Sequence, residues 1–243
     1  MTNLDMFKEM FRIQENLNVI VSGVKWREQH YPWHRAIWLE CAELIEHLGW
    51  KWWKANKHDR NQVLLEVVDI WHFGLSSQLQ DQLIQEFQEY IESYDSIKPL
   101  PRLSVSWAEQ IALHALDAQE FDYDAFFHLL SSLGVSLQEL YNLYIAKATL
   151  NRFRQHCGYA SGTYQKNWGG KEDNQVLSEY LDANKDKAII DANLYFWLTN
   201  EYLTRTEGHC KGCYLYVPKQ SKKAYSKANC TRSDECSRYK KIN

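Results

Sequence analysis

Turn-forming residues are scarce in this chain, and this scarcity limits the folds available to it more than any other feature. Its 243 residues include 10 glycines and 4 prolines, whereas ordinary usage would give about 17 glycines and about 12 prolines. A β-sandwich or β-barrel needs many tight turns, and a low-complexity chain is richer in both residues. The sequence therefore predicts a mostly helical protein that is long enough to bury a core.

Apolar residues recur at helical spacing along most of the chain. This pattern predicts helices at about 3–20, 33–53, 60–93, 104–119, 123–133, 136–156, 173–183 and 187–204. Asp59, Asp122 and Ser136 precede three of these helices and are typical N-cap residues. Residues 157–172 hold four of the ten glycines, which predicts a shaped loop between two helices.

A shift in charge and cysteine content near residue 205 predicts a domain boundary. From Glu201 onward the chain has ten Lys and Arg but four Asp and Glu, although its overall net charge is −3. Four of the six cysteines also lie in this last segment. We therefore expect an all-α domain over residues 1–205 and a small, basic, Cys-rich C-terminal appendage over residues 206–243.

Membrane insertion is not expected from this sequence. No apolar run approaches the roughly 18 residues of a membrane-spanning helix, and the first residues mix charged with apolar side chains. These features predict a cytoplasmic protein that does not contact a membrane. Cysteines in that compartment are mostly thiols or metal ligands and are seldom disulfides.

Two close cysteine pairs in the appendage suggest a metal site. Cys210 and Cys213 flank a glycine, and Cys230 and Cys236 follow with a wider spacing. Cys-x₂-Cys is typical of a zinc knuckle, so one reading is a structural Zn²⁺ site with these four ligands, or with His209 in place of Cys236. The alternative is a flexible tail with free thiols. Its lysines could contact nucleic acid or an acidic partner, or could only keep the tail soluble.

Two pairs of acidic residues with the same spacing are the most informative functional feature. Glu40 and Glu43 form one pair, and Glu66 and Asp69 form the other on the next helix. Residues three positions apart share a helix face, so each pair could chelate a hard cation. The flanking residues are apolar, and four inward carboxylates could hardly stay ionised together without a counter-charge. The sequence predicts a Mg²⁺ site, unless these acids simply lie on two solvated helix faces.

A di-iron centre is the rival metal site, because helical bundles can hold two iron ions with inward glutamates. Those bundles use a Glu-x-x-His motif. In this chain, Glu46 stands three residues after Glu43, and only Asp69 with His72 approximates the motif. Ligation by oxygen alone favours Mg²⁺.

Residues 147–171 combine basic side chains with glycines, as a phosphate-binding loop does. The basic residues are Lys147, Arg152, Arg154, Lys166 and Lys171. Arg and Lys bind phosphates, and glycines let backbone N–H groups approach them. The alternative is a solvated basic loop, and neither a Walker motif nor a dinucleotide fingerprint accompanies it. On the first helix, Gln14 and Asn18 lie one turn apart and offer amide groups suited to a base edge.

Three stretches, taken in order, resemble a known family. They are WLECAELI at 38–45 with WKWWK at 50–54, EVVDIWHF at 66–73, and a late stretch that contains Lys147, Asn151, Arg154, Tyr159, Gly162, Tyr164, Lys166, Trp168 and Gly170 and ends in KEDN at 171–174. Together they resemble the dimeric dUTPases, a branch of the all-α nucleoside triphosphate pyrophosphatases that also include MazG-like and dCTPase proteins. The acid motifs fit the whole superfamily, and the late stretch selects the dUTPase branch. The resemblance covers about residues 10 to 200 and excludes the Cys-rich appendage.

The resemblance implies a helical bundle that works as a homodimer and hydrolyses dUTP, and also dUDP, to dUMP with Mg²⁺. This reaction excludes uracil from DNA. The metal ligands would be Glu40, Glu43, Glu66 and Asp69, and Glu40 would also activate the attacking water. The deoxyuridine pocket would comprise Gln14, Asn18, Trp52, His72, Phe73 and Asn151. The phosphates would be held by Lys147, Arg154, Tyr159, Lys166 and Lys171.

Two other functions remain open on the sequence. One is a related all-α pyrophosphatase that acts on dCTP or on a MazG-like substrate. The other is a non-catalytic helical adaptor that binds nucleic acid through the basic, Cys-rich appendage. Intact acid motifs favour an enzyme over the adaptor.

Overall fold

α-Helices form almost all of the secondary structure in the computed structural model, which describes residues 1–55, 57–81, 91–92, 104–185 and 187–206. The helices in these ranges are α1 (Asn3–Ser22), α2 (Trp33–His47), α3 (Arg60–Asp81), α4 (Ser104–Asp117), α5 (Tyr123–Leu133), α6 (Leu137–His156), α7 (Asp173–Ala183) and α8 (Asp191–Arg205), with a 3₁₀ turn at Trp26–Gln29. Strands β1 (Asn167–Trp168) and β2 (Lys171–Glu172) form an antiparallel hairpin. The predicted all-α class is confirmed.

The three predicted N-caps set where their helices begin. Asp59, Asp122 and Ser136 each accept a hydrogen bond from the backbone N–H three residues later, at 3.2, 2.9 and 3.2 Å respectively. Such a bond satisfies one of the backbone donors that a helix start leaves without a partner. Helices α3, α5 and α6 therefore begin at the predicted positions.

The predicted end of the second helix is wrong. α2 stops at His47, not near Trp53. Gly49 has a φ of +72°, a left-handed conformation that ends the helical path. The tryptophans that follow extend the apolar pattern, but they lie in a turn where Trp52 is 87% exposed. Apolar spacing alone could not separate exposed tryptophans from a buried helix face.

Several other boundaries differ by a few residues from the prediction. α4 ends at Asp117, and α8 begins at Asp191. The predicted loop at 157–172 contains the β-hairpin. The third predicted helix is confirmed to Asp81, whereas residues 82–90 and 93 of that prediction lie outside the described residues.

Two clusters of buried apolar side chains hold the helices together. In the first cluster, the Trp71 ring stacks on Phe126 with centroids 4.9 Å apart, and α1 to α5 pack around them. In the second cluster, the ring centroid of Phe153 lies 5.8 Å from that of Trp168 and 5.4 Å from that of Tyr202. Phe153 thereby joins α6, the hairpin and α8. Helices α3 and α6 contribute side chains to both clusters, so their polar residues are held between two packed regions.

The predicted C-terminal appendage lies outside the described residues, apart from Thr206. The predicted domain boundary and the Zn²⁺ site at Cys210, Cys213, Cys230 and Cys236 therefore remain predictions. Among the helices that the structure describes, none has the length and apolar character needed to cross a membrane.

Candidate active site

Three of the four predicted metal-binding carboxylates converge between α2 and α3. Glu40, Glu43 and Glu66 each bring a carboxylate oxygen to within 4.8 Å of the other two. Glu40 and Glu43 face α3 because they lie three residues apart on one side of α2. Glu66 is 4% exposed on α3 and closes the group from the other side. We call these three residues the acid cluster.

Two members of the acid cluster, Glu40 and Glu66, have raised pKa values because they are largely buried beside other carboxylates. Burial is the main cause that raises the pKa of Glu40 to about 9, and the facing carboxylates of Asp69 and Glu66 add to it. Burial and Asp69 raise the pKa of Glu66 to about 7, although the charge of Lys147 opposes the rise. A cation would favour the ionised forms, and carboxylate oxygens are the ligands that Mg²⁺ prefers. The donor set therefore fits Mg²⁺.

The fourth predicted metal ligand, Asp69, makes a different contact. Its Oδ2 lies 2.7 Å from the Nζ of Lys147, which is 1% exposed on α6. The same ammonium donates a hydrogen bond to Asn174 Oδ1 at 2.9 Å. The predicted phosphate-binding Lys147 thus lies directly beside the acid cluster and is the partner of Asp69.

Arg154, also predicted to bind phosphate, lies in a buried ion pair. Its Nε and Nη2 donate to the two carboxylate oxygens of Asp173, each at 2.8 Å, and the Tyr164 hydroxyl donates to the same carboxylate at 2.6 Å. Burial alone would raise the pKa of Asp173, but the hydrogen bonds and charge of Arg154 outweigh it and hold that pKa below its ordinary value. Arg154 also donates to Asn151 Oδ1 at 3.0 Å and lies over the ring of Tyr159 at 5.9 Å.

The other basic side chains of the 147–171 stretch make two kinds of contact. Arg152 donates through Nη2 to both carboxylate oxygens of Asp191 on α8, at 2.7 and 2.8 Å, so it anchors that helix. Lys166 and Lys171 are exposed and flank the hairpin turn. Lys166 pairs with Glu172 at 3.2 Å, and Lys171 pairs with Glu179.

A buried polar network joins the two predicted base-binding amides to α3 and α6. Gln14 Nε2 donates to Asn18 Oδ1 and to Ser76 Oγ, both at 2.9 Å. Gln14 Oε1 lies 2.6 Å from His72 Nδ1 and 2.9 Å from the Tyr144 hydroxyl. Burial is the main cause that lowers the pKa of His72 to about 4, so its imidazole is neutral near pH 7.

Two atoms of this network lack a hydrogen-bond partner among the described residues. They are Asn18 Nδ2 and His72 Nε2, and both are buried. Since a buried polar group without a partner costs stability, such atoms often face a ligand or a water molecule. The network is therefore the candidate base pocket.

The other predicted pocket residues are not brought into this network. Trp52 lies in the exposed turn after α2, and Phe73 packs against Trp33 with ring centroids 6.2 Å apart. Asn151 contacts Arg154, on the side of the predicted phosphate-binding residues. The structure thus joins Gln14, Asn18 and His72, which the sequence predicted, with Ser76 and Tyr144, which it did not.

Sequence analysis also missed the acids and amides that hold the basic residues. Asp173 and Asn174 bind Arg154 and Lys147, although the prediction gave them no role. The signal was present, because an acid and an amide at the start of a helix close to a basic loop are natural partners for its cations. His47 was also missed, and its Nε2 lies 3.6 Å from Glu66 Oε1.

A helical bundle with converging inward carboxylates, buried cations beside them and a neutral polar pocket is typical of a helical nucleotide hydrolase. A family model described as dUTPase matches residues 6–159, which is more than half of the chain. The chain therefore belongs to this dUTPase family and is an enzyme, a dUTP diphosphatase. No curated protein matches the sequence.

Proposed function

We propose that this enzyme hydrolyses dUTP and dUDP to dUMP with the help of Mg²⁺ held by Glu40, Glu43 and Glu66. The observation that carries the proposal is the convergence of these three carboxylates within 4.8 Å of one another. When bound there, Mg²⁺ would polarise the phosphoryl oxygens of the substrate. Asp69 lies beside the cluster, and its oxygen that does not contact Lys147 could join the ligand set.

Glu40 is the proposed proton acceptor for the attacking water. It is only partly buried and faces the other members of the acid cluster, so water can reach it beside the proposed cation. With a cation bound there, Glu40 would be ionised, and an ionised carboxylate that water can reach suits general-base catalysis. The resemblance to dimeric dUTPases assigns the same role to it.

The base pocket is proposed to select uracil over cytosine. Gln14 Oε1 can only accept a hydrogen bond, so with this orientation of its amide His72 carries its proton on Nδ1. Its Nε2 is then an acceptor for the N3–H of uracil, and Asn18 Nδ2 is a donor for a uracil carbonyl oxygen. Cytosine has an acceptor at N3, which would face the His72 lone pair and leave buried groups unpaired.

Lys147 and Arg154 are proposed to hold the phosphates without releasing their carboxylate partners. Among the described residues, Lys147 bonds to Asp69 and Asn174, which leaves one of its three N–H groups for a phosphate oxygen. Arg154 likewise keeps one Nη1 hydrogen beyond those given to Asp173, Asn174 and Asn151. The exposed Lys166 and Lys171, with Tyr159, would complete the binding of the outer phosphates.

We also propose that the enzyme works as a homodimer in the cytoplasm, as the family resemblance implies. Large apolar side chains suited to an interface are exposed on α2 and just after it: Leu39, Trp50, Trp52 and Trp53. Sedimentation of the full chain tests this point, and a monomer at working concentrations would contradict it.

A nucleotide screen tests the proposed activity directly. Release of pyrophosphate or phosphate is measured for dUTP, dUDP, dCTP and dTTP, with Mg²⁺ and with a chelator in its place. We expect turnover of the two deoxyuridine nucleotides only, and only with the metal. Turnover of dCTP would instead support the related pyrophosphatase, and release without metal would contradict the proposed cofactor.

Variants connect the activity to the acid cluster. Glu66→Gln keeps the shape of the side chain but removes a ligand charge, so we expect turnover to fall by about a hundredfold or more while the helical content stays unchanged. Glu109→Gln, on the exposed side of α4, is the matched control and should keep wild-type turnover. Wild-type turnover by Glu66→Gln would refute the proposed site.

A further inference from the structure

His47 is an imidazole beside the acid cluster that the proposed function does not use. It is the last residue of α2 and lies four residues after Glu43, so its side chain shares the helix face of the cluster. Its Nε2 lies 3.6 Å from Oε1 of the buried Glu66. A nitrogen donor therefore lies beside one oxygen donor of the acid cluster, that of Glu66.

The backbone fixes His47 in this position. The N–H of Asp59 donates to the His47 carbonyl oxygen at 3.0 Å, and Asp59 is the N-cap of α3, the helix that carries Glu66. The end of α2 and the start of α3 are thereby tied to each other. This junction places the backbone of His47 beside the helix that carries Glu66, and the side-chain rotamer then brings the imidazole to the carboxylate.

The distance between the two side chains is informative. At 3.6 Å, His47 Nε2 and Glu66 Oε1 are too far apart for a hydrogen bond. Two ligand atoms that each lie about 2.1 Å from one ion can be up to about 4.2 Å apart. The pair therefore meets the distance requirement for two ligands of one divalent cation.

We propose that His47 supplies its Nε2 as a ligand to a divalent cation shared with Glu66, so that the centre also accepts a transition metal such as Mn²⁺. The proposal rests on the proposed function, which places the cation among the carboxylates. Carboxylates suit both Mg²⁺ and Mn²⁺, whereas an imidazole nitrogen favours transition metals over Mg²⁺. His47 thus raises the affinity of the centre for Mn²⁺ more than its affinity for Mg²⁺.

The test is an electron spin echo envelope modulation spectrum of the full chain with Mn²⁺ alone. Mn²⁺ suits the experiment because the soft cysteine thiolates of the C-terminal segment bind it poorly. We expect modulation from a directly coordinated nitrogen, which His47→Gln abolishes. His34→Gln, at the opposite end of the same helix, is the matched control and should retain the modulation.

Two further measurements test the proposal without the spectrum of His47→Gln. Labelling histidine with heavy nitrogen should change the modulation of the wild-type protein. Calorimetry should show that His47→Gln weakens Mn²⁺ binding by about tenfold while it changes Mg²⁺ binding less. An equal loss for both metals would indicate a structural role and would overturn the proposal.

The spectrum also separates failure of this proposal from failure of the proposed function. A wild-type centre that binds Mn²⁺ with oxygen ligands alone overturns the role of His47 and leaves the carboxylate site intact. Nitrogen modulation that persists in His47→Gln overturns it as well, because another residue would be the ligand. No Mn²⁺ binding at all would refute both proposals.

Discussion

The acid cluster and the Arg154–Asp173 pair are neighbouring polar regions whose carboxyl pKa values are shifted in opposite directions. In the acid cluster, burial and the neighbouring carboxyl groups raise the pKa of Glu40 to about 9. In the other region, opposite charges meet with two bonds of 2.8 Å, and the pKa of Asp173 falls below its ordinary value. Asp173 has its counter-charge, Arg154, within the chain. The acid cluster instead needs a bound cation to keep its carboxylates ionised.

This difference explains how a single fold can prepare a site for a highly charged substrate. Lys147 connects the two regions, because it contacts Asp69 on one side and Asn174 on the other. The region around the Arg154–Asp173 pair, which we call the paired region, holds Arg154 and Lys147 in place through hydrogen bonds. Groups that are already in position need no reorganisation free energy when a substrate binds. The acid cluster instead holds carboxyl groups that are costly to ionise together, and a bound metal ion would favour their ionised forms.

The largest expected effect is on the paired region. Arg154→Met would leave Asp173 buried without its counter-charge, so the free energy of unfolding should fall by about 3–5 kcal/mol. Arg152→Met is the matched control, because its pair with Asp191 is partly exposed and should contribute about 0–1 kcal/mol. Urea denaturation of the three proteins gives the values. Equal losses for the two variants would show that burial does not distinguish the two pairs.

The acid cluster should respond in the opposite direction. Glu40→Gln replaces a carboxyl group that stays protonated in the folded state but ionises in the unfolded state, so with a chelator present the free energy of unfolding at neutral pH should rise by at least about 1.4 kcal/mol, the equivalent of one pKa unit. Glu109→Gln should leave it unchanged. A variant less stable than the wild type would mean that Glu40 makes a favourable contact in the absence of metal.

The gain from Glu40→Gln should also depend on pH. Between pH 4.5 and about 9, the folded state holds the Glu40 proton more strongly than the unfolded state does. Wild-type stability therefore falls as pH rises through this window. The variant lacks this contribution, so its advantage should be larger near pH 8 than near pH 5. An advantage that is independent of pH would contradict the raised pKa.

The smallest expected effect lies at low pH, in the paired region. Because the pKa of Asp173 is lowered in the folded state, its carboxylate stabilises the fold at pH values above 3.8, the ordinary pKa of an aspartate. This stabilisation is lost as the pH falls below 3.8. Wild-type protein should therefore lose stability on acidification in a range where Arg154→Met loses less. Parallel acid-unfolding curves for the wild type and Arg154→Met would indicate that the Arg154–Asp173 pair does not control stability at low pH.

The parts of the fold that local chemistry determines were predictable from sequence. The starts of the helices capped by Asp59, Asp122 and Ser136 were predicted because a cap acts within a few residues. The end of α2 was not, because the apolar pattern continues through Trp52 into an exposed turn. The convergence of Glu40 and Glu43 with Glu66 was predicted because helical spacing fixes which side chains share a face.

The partners of the basic residues were not predictable, because they depend on how distant helices pack. Asp69 and Lys147 are far apart in the chain, and their 2.7 Å contact needs α3 to lie against α6. Arg152 and Arg154 look alike in the sequence, yet one anchors α8 and the other lies beside the candidate active site. Composition and spacing assign such residues to a basic region but not to a partner.

Calorimetric titration of the full chain with Mg²⁺ tests most directly whether the acid cluster is completed by a metal ion. We predict saturable binding with release of protons near neutral pH, since Glu40 holds a proton there when no cation is close. Binding should also raise the melting temperature, and Glu66→Gln should remove both effects. Absence of binding heat, or equal binding by wild type and Glu66→Gln, would contradict the account.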